Sequence, residues 1–343
     1  MASSRPDYAL DNQMRSYANS NEGWSGGDGG VSAALPGGDV AWLFDDSYPN
    51  PVVNGTRPVA HMIHNMVVIQ HGTTYTALHR IRDGQELEYM NYRVRRGSRH
   101  FYWNNGAVAS DGALYVSYSS YYYPETPTVF GFVRTGTVIA KYDLPSMRLA
   151  AVDVLHATIQ WGVWMMHHGP YVYIYGTNSI PGIVPTTRMY LARAPYTDLL
   201  GAWQYWDGSA WTSDPQAGVA ISTVTGPQFS ITMVGNVYVL VTMARGYLPD
   251  VVKAYFACRP MGPFVRGSFL YRTEGGPLPY GTNGITSVYT YGATVHPELT
   301  NGHQIIVSYD VNTSDWALLN ENVNIIRPRY VRANLTFGTA TAS

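Results

Sequence analysis

The sequence predicts an all-β chain folded as a five-bladed β-propeller, and three observations carry that expectation. Helical periodicity is nearly absent; short alternating or apolar runs bounded by Gly, Pro, Asn and Asp recur instead. Tight-turn signals stand at Gly37-Gly38-Asp39, Ser110-Asp111-Gly112, His168-Gly169-Pro170, Gly235-Asn236 and Asn301-Gly302-His303, each followed by a strand-like run. These turns recur at intervals of roughly 60–75 residues, so the chain divides into five units of about four strands. A β-sandwich of this length would not space five hairpins so evenly.

Residues 1–22 are polar and precede the first strand, so they are expected to form an N-terminal arm. The propeller is expected over 23–337 and a small polar tail over 338–343. Runs 40–44, 66–70, 114–118, 171–175, 237–242 and 304–309 read as inner or middle strands. Runs 189–193 with 203–206, and 252–257 with 269–272, supply further strands of their units. Residues 83–99 look strandless and carry Arg93, Arg95, Arg96 and Arg99, which fits a loop over one face.

Composition excludes several function classes. Charged residues are 13% of the chain, about half the usual share, and the net charge is −1. No basic face exists for nucleic acid. The 28 tyrosines suit surfaces that stack on sugars or pack against proteins, although most are expected to be ordinary strand aromatics. A single Cys258 excludes an internal disulfide and a cysteine metal cluster. No cofactor or metal is expected, since phosphate loop, nucleophile elbow and helical His-x-x-x-His are all missing from the sequence. The first residues lack a secretory pattern, and no run approaches the roughly 18 apolar residues of a membrane span. The expectation is a protein that works in the cytosol, or one released by lysis as a virion component.

Two carboxylates stand out. Asp28 lies in Gly26-Gly27-Asp28-Gly29-Gly30, where backbone can approach a ligand closely. Asp46 follows an apolar strand in Trp42-Leu43-Phe44-Asp45-Asp46-Ser47 and would emerge at a strand end, over the axial funnel. Two carboxyls at one funnel are what glycoside cleavage needs. The bland alternative is an Asx turn at Asp28 and a loop cap at Asp46. His64-Asn65, Gln228, Tyr291 and His296 recur at comparable places in their units and would line a polar axial pocket. Trp103, Trp161 and Tyr291 are candidate platforms for sugar rings, with core packing as the alternative. The arginines of Arg327-Pro328-Arg329 would clamp an anion or, more simply, form salt bridges at the closing strand.

At these residues the chain resembles five-bladed propeller proteins of actinobacteria and their phages, linked to endo-D-arabinanase activity on cell-wall arabinan. The resemblance runs from about Trp24 to Arg332. It rests on Gly26-Gly-Asp-Gly, Trp42-Leu-Phe-Asp-Asp-Ser, Ile63-His-Asn, Trp161-Gly, Tyr171-Val-Tyr-Ile-Tyr-Gly, Trp203-Gln-Tyr-Trp-Asp-Gly, Gly262-Pro-Phe, His296-Pro and Ile326-Arg-Pro-Arg. It implies that the catalytic carboxylates fall on Asp28 and Asp46. Two departures bear on catalysis. Phe101-Tyr-Trp-Asn-Asn-Gly-Ala replaces a motif with an acid near position 105, and Met66 follows His64-Asn65 where relatives have a small hydroxyl residue.

Three functions follow as expectations. The first is a minor tail protein of a phage that binds or trims host cell-wall arabinan, with other tail proteins as partners. The second is a freestanding endo-D-arabinanase, and the third a non-catalytic structural propeller.

Overall fold

The structure, a computed structural model, describes residues 2–58, 61–94, 98–126, 131–180, 186–244, 250–273 and 287–337. It is a five-bladed β-propeller. Blade 1 comprises Val31–Ala34, Val40–Phe44, Met66–His71 and Thr74–Leu78, and blade 2 comprises His100–Ser110, Ala113–Tyr122, Val133–Asp143 and Arg148–Leu155. Blade 3 is Gln160–His168, Tyr171–Ile180, Thr186–Pro195 and Gln204–Trp206, with a fifth short strand, Trp211–Thr212. Blade 4 runs Phe229–Val234, Val237–Met243, Val251–Ala257 and Val265–Arg272. Blade 5 takes Val288–Val295, Gln304–Thr313 and Arg329–Leu335 from the C-terminal part of the chain.

The five hairpin signals all mark the turn from innermost to second strand, at one end of the axis. That end is called lower here; the inner strands begin at the upper end. Second strands lie between neighbouring blades and are covered on both faces, so Val40–Phe44 is buried at every position and reads as an unbroken apolar run. Outer strands alternate, as Thr74–Leu78 does, because one face meets water. The main core joins the blades through residues such as Leu43, Val116, Trp164, Ile231 and Val295.

Residues 2–22 are not a projecting arm. Ala2–Pro6 pairs antiparallel with Arg329–Leu335 and becomes the outermost strand of blade 5. Three strands would otherwise leave a row of unpaired amides and carbonyls at that edge. The strand escapes sequence reading because an outermost strand needs little apolar character. Helix Tyr8–Ala18 follows, and its Met14, Tyr17 and Ala18 pack with Trp24, Tyr75 and Tyr330. Asp7 caps the helix by accepting from the Leu10 amide at 3.3 Å, and its other oxygen accepts from Arg332.

Residues 83–99 are also not wholly strandless: Ile81–Arg82 and Gln85–Glu86 form a small hairpin whose turn is Asp83-Gly84. Arg95, Arg96 and the expected tail 338–343 lie outside the described residues. Arg327 forms no salt bridge among the described contacts. It donates to the carbonyls of Ser25 and Ala18 and to Asn19 Oδ1, tying the closing strand to the helix end.

Asp7 therefore joins helix cap, closing strand and a half-buried ion pair. Asp7→Ala should lower unfolding free energy by about 1–3 kcal/mol in urea titration. An unchanged midpoint would show that the N-terminal segment does not close the ring.

Candidate functional site

The upper face is organised by a short antiparallel pairing, Gly26↔Tyr48 and Gly27↔Ser47. It continues through the Asp45 amide donating to the Asp28 carbonyl (2.7 Å) and the Asp28 amide to the Asp46 carbonyl (3.3 Å). The pairing brings the glycine-rich segment beside the end of the second strand, and Asp28 beside Asp46.

Four carboxyls meet here: Asp28, Asp45, Asp46 and Asp310. Asp310, on the second strand of blade 5, accepts from the Gly29 amide at 3.1 Å, so the first and last blades are joined at the axis. Gly29 and Gly292 have φ of +66° and +69°, a region that suits glycine. A Cβ at Gly29 would stand 2.4 Å from Asp45 Oδ2, and one at Gly292 2.4 Å from Asp310 Oδ2. These two glycines are what allow the carboxyls to lie against the inner strands.

Burial sets the charge state of three of them. Asp28, Asp45 and Asp310 are each under a tenth exposed. Loss of hydration, then the neighbouring Asp46 charge, pushes the Asp28 carboxyl up to about 7. Burial first and Asp28 second hold Asp45 and Asp310 well above the carboxylate range. Asp28 Oδ2 accepts from the Tyr291 hydroxyl and from Asn312 Nδ2 (3.3 Å). Its Oδ1 and that of Asp310 are buried with no partner among the described residues, which an acid tolerates far better than an anion does.

Asp46 differs. Its side chain is 21% exposed, and Oδ1 accepts from His64 Nδ1 and Trp103 Nε1, both at 2.8 Å. His64 lies 4.2 Å from the Phe101 ring, and Phe101, Trp103, Tyr121, Tyr123 and Phe132 form an aromatic wall on blade 2. A groove of about 450 Å³ opens beside it, lined by His61, His64, Glu88, Arg99, Phe101 and Tyr123 among others.

The axial mouth itself is small, about 30 Å³, and all five blades line it, with Gly29, Asn104, Asn105, Gln228 and Asp310 as its polar or backbone contacts. Gln160 donates to Asn105 Oδ1 and Ser119 Oγ, both at 2.9 Å, so amides occupy the blade 2 and 3 side. No grouping of three or more His, Cys, Asp or Glu able to hold a metal ion occurs among the described residues.

Residues 11–334 match the family described as a domain of unknown function, DUF5005. The chain belongs to that family. No curated protein matches it. Among solved structures, the DUF5005 propeller resembles a Bacteroides ovatus protein provisionally described as a hydrolase. The TM-score is 0.78 at 18% identity, over 97% of this chain and 90% of that one. A Cellvibrio cellulosa alpha-L-arabinanase mutant gives 0.50 at 12% identity, over 92% and 93%. A Xanthomonas citri GH43_1 enzyme complexed with xylose gives 0.50 at 12%, over 95% and 94%. At such identities the likeness establishes the fold.

The DUF5005 propeller gathers some expected site residues and disperses others. Asp28, Asp46, His64, Trp103 and Tyr291 come together, and Gln228 reaches the axial mouth. Asn65 does not face a ligand: buried to 2% exposure, it bonds the Met90 amide and the Met90 and Tyr102 carbonyls. Trp161 is core, packed against Trp203, Tyr190 and Tyr205, because the bulge at Gly162 turns the ring between strands rather than over the axis. His296 sits at the lower end, fully buried between Ser32 and Ser308, and burial drives it down to about 3. Beside it, Ser32 and Glu298 border a lower cavity of about 390 Å³ with largely apolar walls.

Sequence reading missed Asp45, Asp310, Asn104 and Asn312. A repeated X-Gly step was the available signal: Asp28-Gly29 precedes the inner strand of blade 1, and Asn105-Gly106, Trp161-Gly162 and Tyr291-Gly292 lie within the inner strands of blades 2, 3 and 5. Register slips beside the last three, at Asn104/Ala107, Trp161/Trp164 and Tyr291/Thr294.

Raised carboxyls make stability depend on pH. Between the ordinary carboxylate value and about 7 the folded protein holds protons that the unfolded chain has released, so stability falls as pH rises. Asp28→Asn removes one such group while leaving Tyr291 an acceptor. Denaturant titrations should show the variant losing about 2–4 kcal/mol less than the parent between pH 5 and pH 8. Equal losses would mean Asp28 is ionised throughout.

Proposed function

We propose that the DUF5005 propeller engages a polysaccharide on its upper face, with a sugar seated over Asp46 and alongside the blade 2 aromatic wall. The observation that carries this is the pairing of one open carboxylate, oriented by His64 and Trp103, with ring faces beside a groove. Sugars present hydroxyls to carboxylates and C–H faces to aromatic rings, and such sites combine a few polar groups with apolar walls. The propeller likeness to xylose-bound and arabinanase structures supports a carbohydrate ligand.

Within this reading the polymer is cell-wall arabinan and the protein a minor tail component of a phage. The sequence resemblance supports both, whereas a docking role for residues 1–22 loses its support now that they close blade 5.

A second reading, glycoside cleavage, is favoured by the unequal environments of the two carboxyls. Asp28 retains a proton near neutral pH while Asp46 accepts two hydrogen bonds, and carboxyls split in this way divide acid and base roles. Asp28 Oδ1 is shielded and Oδ2 is held by Tyr291, so cleavage would require the Tyr291 contact to open.

Purified protein incubated with arabinogalactan separates the readings. Retention in affinity electrophoresis, weakened about tenfold in Asp46→Asn, supports engagement. Released oligosaccharides, lost in both Asp28→Asn and Asp46→Asn, support cleavage. Neither retention nor release would leave only a structural role.

A further inference from the structure

We infer that Trp316 is a second sugar-stacking position, lying on the far side of Asp46 from the blade 2 wall, so that the bound polysaccharide runs across blades 2, 1 and 5. This rests on the reading of Asp46 as a sugar-engaging carboxylate.

The chain has nine tryptophans. Trp24, Trp42, Trp161, Trp164 and Trp203 are buried, and Trp103, Trp206 and Trp211 are half-buried. Trp316 alone is open to water, at 63% exposure. An indole left bare in a chain that covers the others forgoes a large apolar burial, and tryptophan is enriched at binding interfaces.

Its place in the fold gives the ligand. Trp316 opens the short helix Trp316–Glu321, which follows the second strand of blade 5 at its upper end. Four residues earlier, Asn312 donates to Asp28 and to the Tyr291 hydroxyl, so the helix leaves directly from the carboxylate cluster. The same segment is tied to the loop that follows Asp46. The Arg57 amide donates to the Asn320 carbonyl at 2.9 Å, Arg57 Nη1 to the Leu319 carbonyl at 2.9 Å, and the Val323 amide to the Gly55 carbonyl at 3.3 Å.

The backbone that carries the ring is also held in place. Asp315 accepts from the Ala317 and Leu318 amides at 3.0 and 3.1 Å, its own amide donates to Thr313 Oγ1 at 3.0 Å, and Leu319 is buried. A fixed backbone lowers the ordering cost of binding. Tyr123, 37% exposed, stands at the blade 2 end of the same face. Going round the ring, the order is Tyr123 on blade 2, Asp46 on blade 1 and Trp316 on blade 5. The three positions stand on different blades, so a polymer running along this face would meet them in turn.

The test compares long and short ligands on parent, Trp316→Ala and Trp316→Phe. Calorimetric titration with arabinogalactan should give an affinity about tenfold weaker for Trp316→Ala, largely restored in Trp316→Phe. Short oligosaccharides cut from the same polymer, which fill only the Asp46 position, should bind parent and Trp316→Ala alike. Equal polymer affinity in parent and Trp316→Ala overturns the inference while leaving the Asp46 reading intact. So does equal weakening on long and short ligands, which marks a general loss. A parent that binds no arabinogalactan sinks the Asp46 reading, and the second position with it.

Discussion

The structure turns on the meeting of its first and last blades at the axis. There the Gly29 amide donates to Asp310, and Asn312 and Tyr291 donate to Asp28. A propeller must join its ends, and this one does so twice: outside by an N-terminal strand, and inside by carboxyls that reach across the seam. Inner closure places three acids where water is excluded. An uncompensated anion in such a place is costly, so the carboxyls keep protons and accept bonds from amides and hydroxyls.

That constraint divides the upper face. Blades 1 and 5 contribute acids, blades 2 and 3 contribute amides through Asn104, Asn105 and Gln160, and only Asp46 stands clear enough to meet a ligand. Asp45 is withdrawn by its bond from the Asn104 amide at 2.6 Å, which also fixes blade 2 against blade 1. The buried acids thus organise the backbone that presents Asp46. The aromatic wall and the groove flank that one open carboxylate on its blade 2 side.

Much of the architecture was legible in the sequence. Hairpin turns need Gly, Asn or Asp at fixed places, and five of them at even spacing specify five units. That Asp28 and Asp46 come together was legible from local signals, the glycines around one and the apolar run before the other; that neither would line the axial mouth was not. Asp310 and Asn312 were not, since nothing in Tyr309-Asp310-Val311-Asn312 announces a partner about 280 residues away across a ring seam. Asn65, Trp161 and His296 were misplaced for a related reason. Trp161 begins an inner strand whose bulge decides the side it faces, whereas Asn65 precedes the third strand of blade 1 and His296 follows the inner strand of blade 5, so neither stands where an inner strand begins. The N-terminal strand was hidden because its pairing is contributed by residues at the opposite end of the chain.

The central claim is that Asp28 is a buried, protonated acid behind an open Asp46. Infrared difference spectroscopy of parent against Asp28→Asn at pH 6 tests it most directly. The account predicts that the substitution removes a protonated-carboxyl C=O band, which in the parent fades as pH is raised past about 7. Loss of a carboxylate band instead, with no protonated band at pH 6, would contradict it.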